Sequence, residues 1–146
     1  MNSHRSTWAT VAVLVGRLIF AAVFIMAVTF KLTDIDGTAT YIASAGFPLP
    51  TLLAWLAVIF ELALIAGLLT GAFFVETALL AAAYVLFLGF AFHGPSHWSG
   101  NQDEFGFFVD HFTFTAGLLF AAAHGPGRLM AMNRGFISAP TESANP

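Results

Sequence analysis

The sequence predicts an all-α fold, a polytopic membrane protein built as a four-transmembrane-helix bundle, and three observations lead there. Hydrophobic residues make up 58% of the 146 and charged residues only 9%, whereas a soluble domain averages about 25% charged. Mean hydropathy is +0.82. The five basic and eight acidic side chains cannot cover the surface of a water-soluble globule of this size, so lipid supplies the remaining solvent. The apolar residues also fall into four stretches of about 20, the length that one helix needs to cross a bilayer.

The first span runs from about residue 8 to 30, apolar from Trp8 to Phe30 except for Arg17. At about 1.5 Å per residue it is long enough to cross about 30 Å of hydrocarbon. A cleaved signal peptide is the competing reading. Arg17 splits its apolar region, however, and no small-x-small cleavage site precedes a polar start. Between this span and the next, the segment from Thr38 to Gly46 reads as a short interfacial helix, with Tyr41, Phe47 and Pro48 at headgroup level.

The second span covers about residues 51–69, opened by Pro48 and Pro50, closed by Thr70 and Gly71, and carrying Glu61 near its midpoint. Proline before a helix and glycine after it mark its natural ends. Residues 73–92 form the third span, with Glu76 in its first turn and Gly94-Pro95 at its end. Residues 105–123 form the fourth, carrying Asp110 and His111 and stopped by His124-Gly-Pro-Gly127. Together 1–132 read as one transmembrane domain, and 133–146, rich in Ser, Pro, Glu and Asn, as a flexible C-terminal tail.

Four spans place both termini on one side. Arg5, Arg128 and Arg134 flank that side, whereas Lys31 faces Asp34, Asp36, Asp103 and Glu104 on the other. The bias of basic residues toward the cytoplasm therefore predicts cytoplasmic termini.

Composition excludes several functions. A net charge of −3 gives no basic stripe for nucleic acid. With no cysteine, disulfides, thiolate metal sites, Fe–S clusters and an internal dithiol relay are all absent. Asp34-Ile-Asp36-Gly37 matches only a fragment of a calcium loop, so no metal site is expected. His93 and His111 lie near one end of the third and fourth spans, but at depths several residues apart. Bis-histidine haem is therefore not expected, nor is any covalently bound cofactor.

Charges inside a spanning helix cost about 2.5–3.5 kcal/mol on insertion scales, so each calls for a partner. Arg17 and Glu61 lie at similar depth and are expected to pair. Lys31, 14 residues after Arg17, returns to nearly the same helical face and is expected to pair with Asp110. Arg17, Lys31, Glu61, Asp110 and His111 are thus the candidate polar or quinone-contact residues. Such pairs can fix helix register, can exchange protons with a quinone headgroup, or can line a proton or small-solute path, and the residues leave these alternatives open. No complete catalytic or redox centre is present. Ala63, Gly67 and Gly71 form a small-residue ridge that lets another helix, internal or from a partner subunit, approach closely.

Gly16-Arg17-Leu18, Phe30-Lys31-Leu32, the loop from Gly37 to Pro50, Val58-Ile-Phe-Glu61-Leu62, Ala116-Gly-Leu-Leu119 and Ala123-His-Gly-Pro-Gly-Arg-Leu129 together resemble the DoxX family. The resemblance covers about residues 10–130 and rests on the order and spacing of modest motifs. It implies a four-helix bundle in the bacterial inner membrane. Some relatives are assigned as small subunits of a thiosulfate:quinone oxidoreductase, and others are associated with redox-protective membrane complexes. By resemblance, then, the chain is expected to sit in the lipid bilayer beside other membrane protein subunits, as a quinone-linked subunit or a non-catalytic accessory one. Arg17, Lys31 and Glu61 are carried over as family-like polar positions without a catalytic role. Glu76 departs from the basic residue expected after the second span, and Asp110-His111 from an Asn-rich start to the fourth.

Overall fold

The computed structural model describes residues 7–132 and 134–137. Its elements are α1 (Thr7–Thr33), α2 (Ile35–Ser44), α3 (Pro50–Thr70), α4 (Phe74–His93), a single 3₁₀ turn (Pro95–His97) and α5 (Gln102–His124). Four of these, α1, α3, α4 and α5, are long and apolar enough to cross a membrane. Each overlaps its expected span to within three residues at either end.

The local signals act where the sequence puts them. The Asp34 carboxylate accepts from the Gly37 amide at 2.8 Å and caps α2, so the calcium-like fragment is a helix cap. Pro50 opens α3, where its missing N–H is no loss. Gly71, at φ 70°, closes α3 with its N–H on the Gly67 carbonyl at 2.9 Å, a left-handed ending that glycine adopts freely. Phe73 (φ 51°) takes the same conformation without that freedom. Its amide donates to the Arg134 carbonyl, so the chain after α5 helps hold the α3–α4 turn.

Around the bundle, α1 packs on α3, α3 on α4, and α4 along most of α5. Phe114 closes the ring from α5 to α1, meeting Phe20 and Phe24 edge-on at 5.0 and 5.9 Å. The core between them holds Phe24, Val58, Leu64, Leu68, Phe74, Val85 and Leu118. Within the most apolar window of each span, 44% of α4 is buried against 17% of α5. α4 is therefore the most buried of the spanning helices, and α5 leaves most of its residues outside the bundle core.

Of the expected ridge, Gly67 alone makes a close internal helix approach: a Cβ there would lie 2.2 Å from Thr77 Oγ1 on α4. Ala63 is exposed, and Gly71 is the helix cap.

Four described residues fall within the segment expected as a flexible tail. Residues 134–137 lie across the α3–α4 turn: Glu76 Oε1 accepts from the amides of Phe136 and Ile137, and the Phe136 ring meets Phe73 at 5.3 Å. Residues 138–146 lie outside the described residues.

Candidate functional site

Arg17 is 3% exposed and pairs with no carboxylate among the described residues. Its Nε donates to the Leu68 carbonyl at 3.1 Å, Nη2 to Leu69 and Met130, and Nη1 to Pro126 and Leu129, at 2.9–3.0 Å. The expected Arg17–Glu61 pair does not form. The last carbonyls of α3 have no partner within the helix and carry the negative end of its dipole. A planar guanidinium with five donors satisfies them together with the turn after α5. Arg17 thus ties α1, α3 and the post-α5 segment at the end of the bundle near the termini.

Glu61 is taken by Lys31 instead. Lys31 Nζ lies 2.9 and 3.0 Å from the two carboxylate oxygens, and Tyr84 Oη donates to Oε1 at 2.9 Å. The carboxylate side chain is 2% exposed and the lysine 20%. Side chains on a helix lean toward its N-terminus, so Lys31 near the end of α1 reaches inward to mid-span Glu61. That lean, which depth arithmetic from Cα positions misses, is why the pairing differs from the expected one. Tyr84 is the third member, and no charge signal in the sequence marks it.

The expected Lys31–Asp110 pair is absent for the same reason, and Asp110 is exposed on α5 with no partner among the described residues. His111, its neighbour, turns inward. Its Nδ1 lies 2.7 Å from the Phe107 carbonyl, and its ring centroid lies 5.1 Å from that of His93. The two histidines therefore do approach, because α5 comes close to α4 at Gly89, where a Cβ would stand 2.9 Å from His111 Cβ. His93 Nδ1 in turn lies 2.7 Å from Glu104 Oε2, and Trp98 Nε1 donates to the His93 carbonyl at 2.8 Å.

Lys31, Tyr84, His93 and His111 share the wall of a cavity of about 770 Å³. Most of the remaining wall is apolar or aromatic, including Phe30, Leu56, Ala57, Phe60 and Phe87, with Asp34, Thr38 and Tyr41 toward α2. Small-molecule sites are typically about 300–1,000 Å³, mostly apolar, with a few placed polar groups. Tyr41 stacks on Phe92 at 5.0 Å. Desolvation, and secondarily the Glu104 carboxylate, hold its phenol above the ordinary range, so it stays a neutral hydroxyl at physiological pH.

Hydrogen-bond capacity defines what this wall can recognise. Two Lys31 protons serve Glu61, while the third has only a 3.5 Å contact with the Ala27 carbonyl and is free for a ligand oxygen. Tyr84 spends its proton on Glu61, leaving its oxygen as an acceptor. A hydroxyl that accepts from Lys31 and donates to Tyr84 fits both, whereas a carbonyl oxygen can use Lys31 alone.

The sequence model of the DoxX family matches residues 12–94, which takes in Arg17, Lys31, Glu61, Tyr84 and His93 but stops before α5. The chain is also similar to inner membrane protein YphA of Escherichia coli (strain K12), 31% identical over 123 residues, covering 82% of this chain and 86% of the relative. No solved structure matches the chain.

Proposed function

The chain belongs to the DoxX family of membrane proteins, and from that premise we propose that it is an inner-membrane subunit whose cavity holds the headgroup of a quinone-like lipid, working beside a partner that carries the redox centre. The observation that carries this reading is the cavity itself: an aromatic-lined space of about 770 Å³ with one spare ammonium donor and one spare phenol acceptor side by side. A quinol hydroxyl engages both, and a quinone carbonyl engages Lys31. Glu61 touches neither oxygen; it is a positioning residue that fixes Lys31 and Tyr84.

The chain's own share of the chemistry is binding, orientation and proton exchange. With no cysteine it has no thiol redox centre or thiolate-held cluster, and electrons would pass to a partner subunit. The excess of arginine near the termini supports placing them in the cytoplasm.

The test is titration calorimetry of the full chain in lipid nanodiscs with decylubiquinone and with its reduced form, decylubiquinol. The expected result is saturable binding of both. Ala57→Phe fills the cavity one turn before Glu61 and is expected to weaken binding about tenfold or more, a loss of about 1.4 kcal/mol, at an unchanged melting temperature. No saturable binding, or an Ala57→Phe variant that binds as well as the parent, would overturn the reading.

A second reading, a non-catalytic accessory subunit, is favoured by Asp110. A carboxylate facing lipid is costly, and a helix from another subunit with a basic or hydroxyl group at that depth would relieve it. Under this reading Asp110→Asn reduces co-purification of a partner subunit from the native membrane while leaving the isolated chain equally stable. Unchanged co-purification would count against it.

A further inference from the structure

Tyr84 and His93 are nine residues apart on α4, about 13 Å of helix rise, so the cavity has a second polar end distinct from the Lys31–Tyr84 wall. We infer that His93 and His111, with Glu104 behind His93, form a second, proton-linked station for the cavity's ligand, at the membrane face opposite the termini. This rests on the quinone-like reading of the cavity.

Both rings are held by their Nδ1 atoms. A backbone carbonyl can only accept, so His111 Nδ1, 2.7 Å from the Phe107 carbonyl, carries a proton, and in the neutral ring Nε2 is the acceptor. His93 Nδ1 faces the Glu104 carboxylate at 2.7 Å, the arrangement by which a carboxylate fixes an imidazole's tautomer and leaves Nε2 as a base. Neither Nε2 has a hydrogen-bond partner among the described residues. Both rings line the cavity. Helix geometry supports the arrangement: Glu104 and His111 share a face of α5 at a spacing of seven, and Gly89, one turn before His93, gives His111 room against α4.

The station therefore distinguishes two ligands by proton inventory. A quinol hydroxyl donates to a neutral Nε2 and requires no proton from solvent. A quinone carbonyl can only accept, so it is held there when Nε2 is protonated, and a proton must first be taken from water to give an imidazolium. Histidine is the side chain suited to that exchange between about pH 5 and 8. Besides the two histidines, the titratable groups at this end are Glu104 on α5 and Tyr41 on α2, while Asp34 lines the same cavity and Lys31 belongs to its other polar end. Glu104, in the first turn of α5 and partly exposed, connects the site to water.

The experiment is the nanodisc calorimetry repeated at pH 6.5 in phosphate and in Bis-Tris, buffers whose ionisation enthalpies differ, so that the difference in heat counts protons. Decylubiquinone is expected to bind with uptake of up to one proton and several-fold more tightly at pH 5.5 than at pH 8. Decylubiquinol is expected to bind with little or no proton exchange. His93→Gln keeps an amide donor for Glu104, and His111→Gln alters only the other ring; each is expected to reduce the proton count, and the two together to abolish it, with binding retained at the Lys31–Tyr84 wall. Glu104→Gln, which retains both imidazoles, is expected to change the pH dependence and serves if a histidine variant does not fold. Quinone binding with buffer-independent heat would overturn the station alone, as would a proton count that survives both histidine substitutions. Absence of any binding would overturn the cavity reading and the station with it.

Discussion

Lys31 Nζ sits 2.9 and 3.0 Å from the two oxygens of Glu61, joining the end of α1 to the middle of α3. The two partners are unequally placed, the lysine being 20% exposed on the cavity wall and the carboxylate 2% exposed. Removing one partner of a buried pair leaves a stranded charge, at a cost of about 3–5 kcal/mol, whereas replacing both with apolar groups is often neutral. Lys31→Met, which strands Glu61, is expected to lower thermal stability more than Glu61→Leu, which strands a lysine able to turn toward the cavity. The double variant is expected to recover most of the loss. Melting curves of the four proteins in one detergent check this, and equal single effects without rescue would contradict it.

Tyr84 supplies the acceptor that a hydroxyl ligand needs. Tyr84→Phe removes a hydrogen bond to a charged group, worth about 1.5–3 kcal/mol at most, and is expected to weaken decylubiquinol more than decylubiquinone. Competition between the two in nanodiscs would show it, and an unchanged preference would mean that the phenol does not meet the ligand.

Arg17 makes five hydrogen bonds to carbonyls on two separate segments. Lysine keeps the charge but offers three donors from a single point, so Arg17→Lys cannot span them. Losing even one such bond, about 1.5 kcal/mol, raises the population of the detached segment about tenfold. Trypsin cleavage at Arg128 and Arg134 is expected to accelerate accordingly, and parental cleavage rates would show that the segment is held by something else.

Gly67 faces Thr77 so closely that a Cβ would fall 2.2 Å from Oγ1. Gly67→Ala is expected to cost about 1–3 kcal/mol through overpacking, and Thr77→Ala in the same chain to restore part of it. An unaltered melting temperature for Gly67→Ala would mean that α3 and α4 separate there without penalty.

The sequence by itself determined the solvent, the number of spans and their ends. Those depend on local quantities: the length of each apolar run, Pro50 at a helix start, Gly71 at a helix stop, Asp34 as a cap. It also marked Arg17, Lys31, Glu61 and Asp110 as positions needing partners, because a charged group in lipid is costly wherever the helix packs. Only the tertiary structure decided who the partners are. Arg17 took backbone carbonyls in place of Glu61 because the end of α3 and the turn after α5 converge on it with oxygens that have no partner within their own helix. Lys31 took Glu61 in place of Asp110 because a long side chain leans toward its helix N-terminus, a displacement larger than the register differences that sequence spacing can resolve. Tyr84 and Glu104 carry no signal among so many aromatics and interfacial acids, since their roles come from helix rotation and from the close approach of α4 and α5 at Gly89.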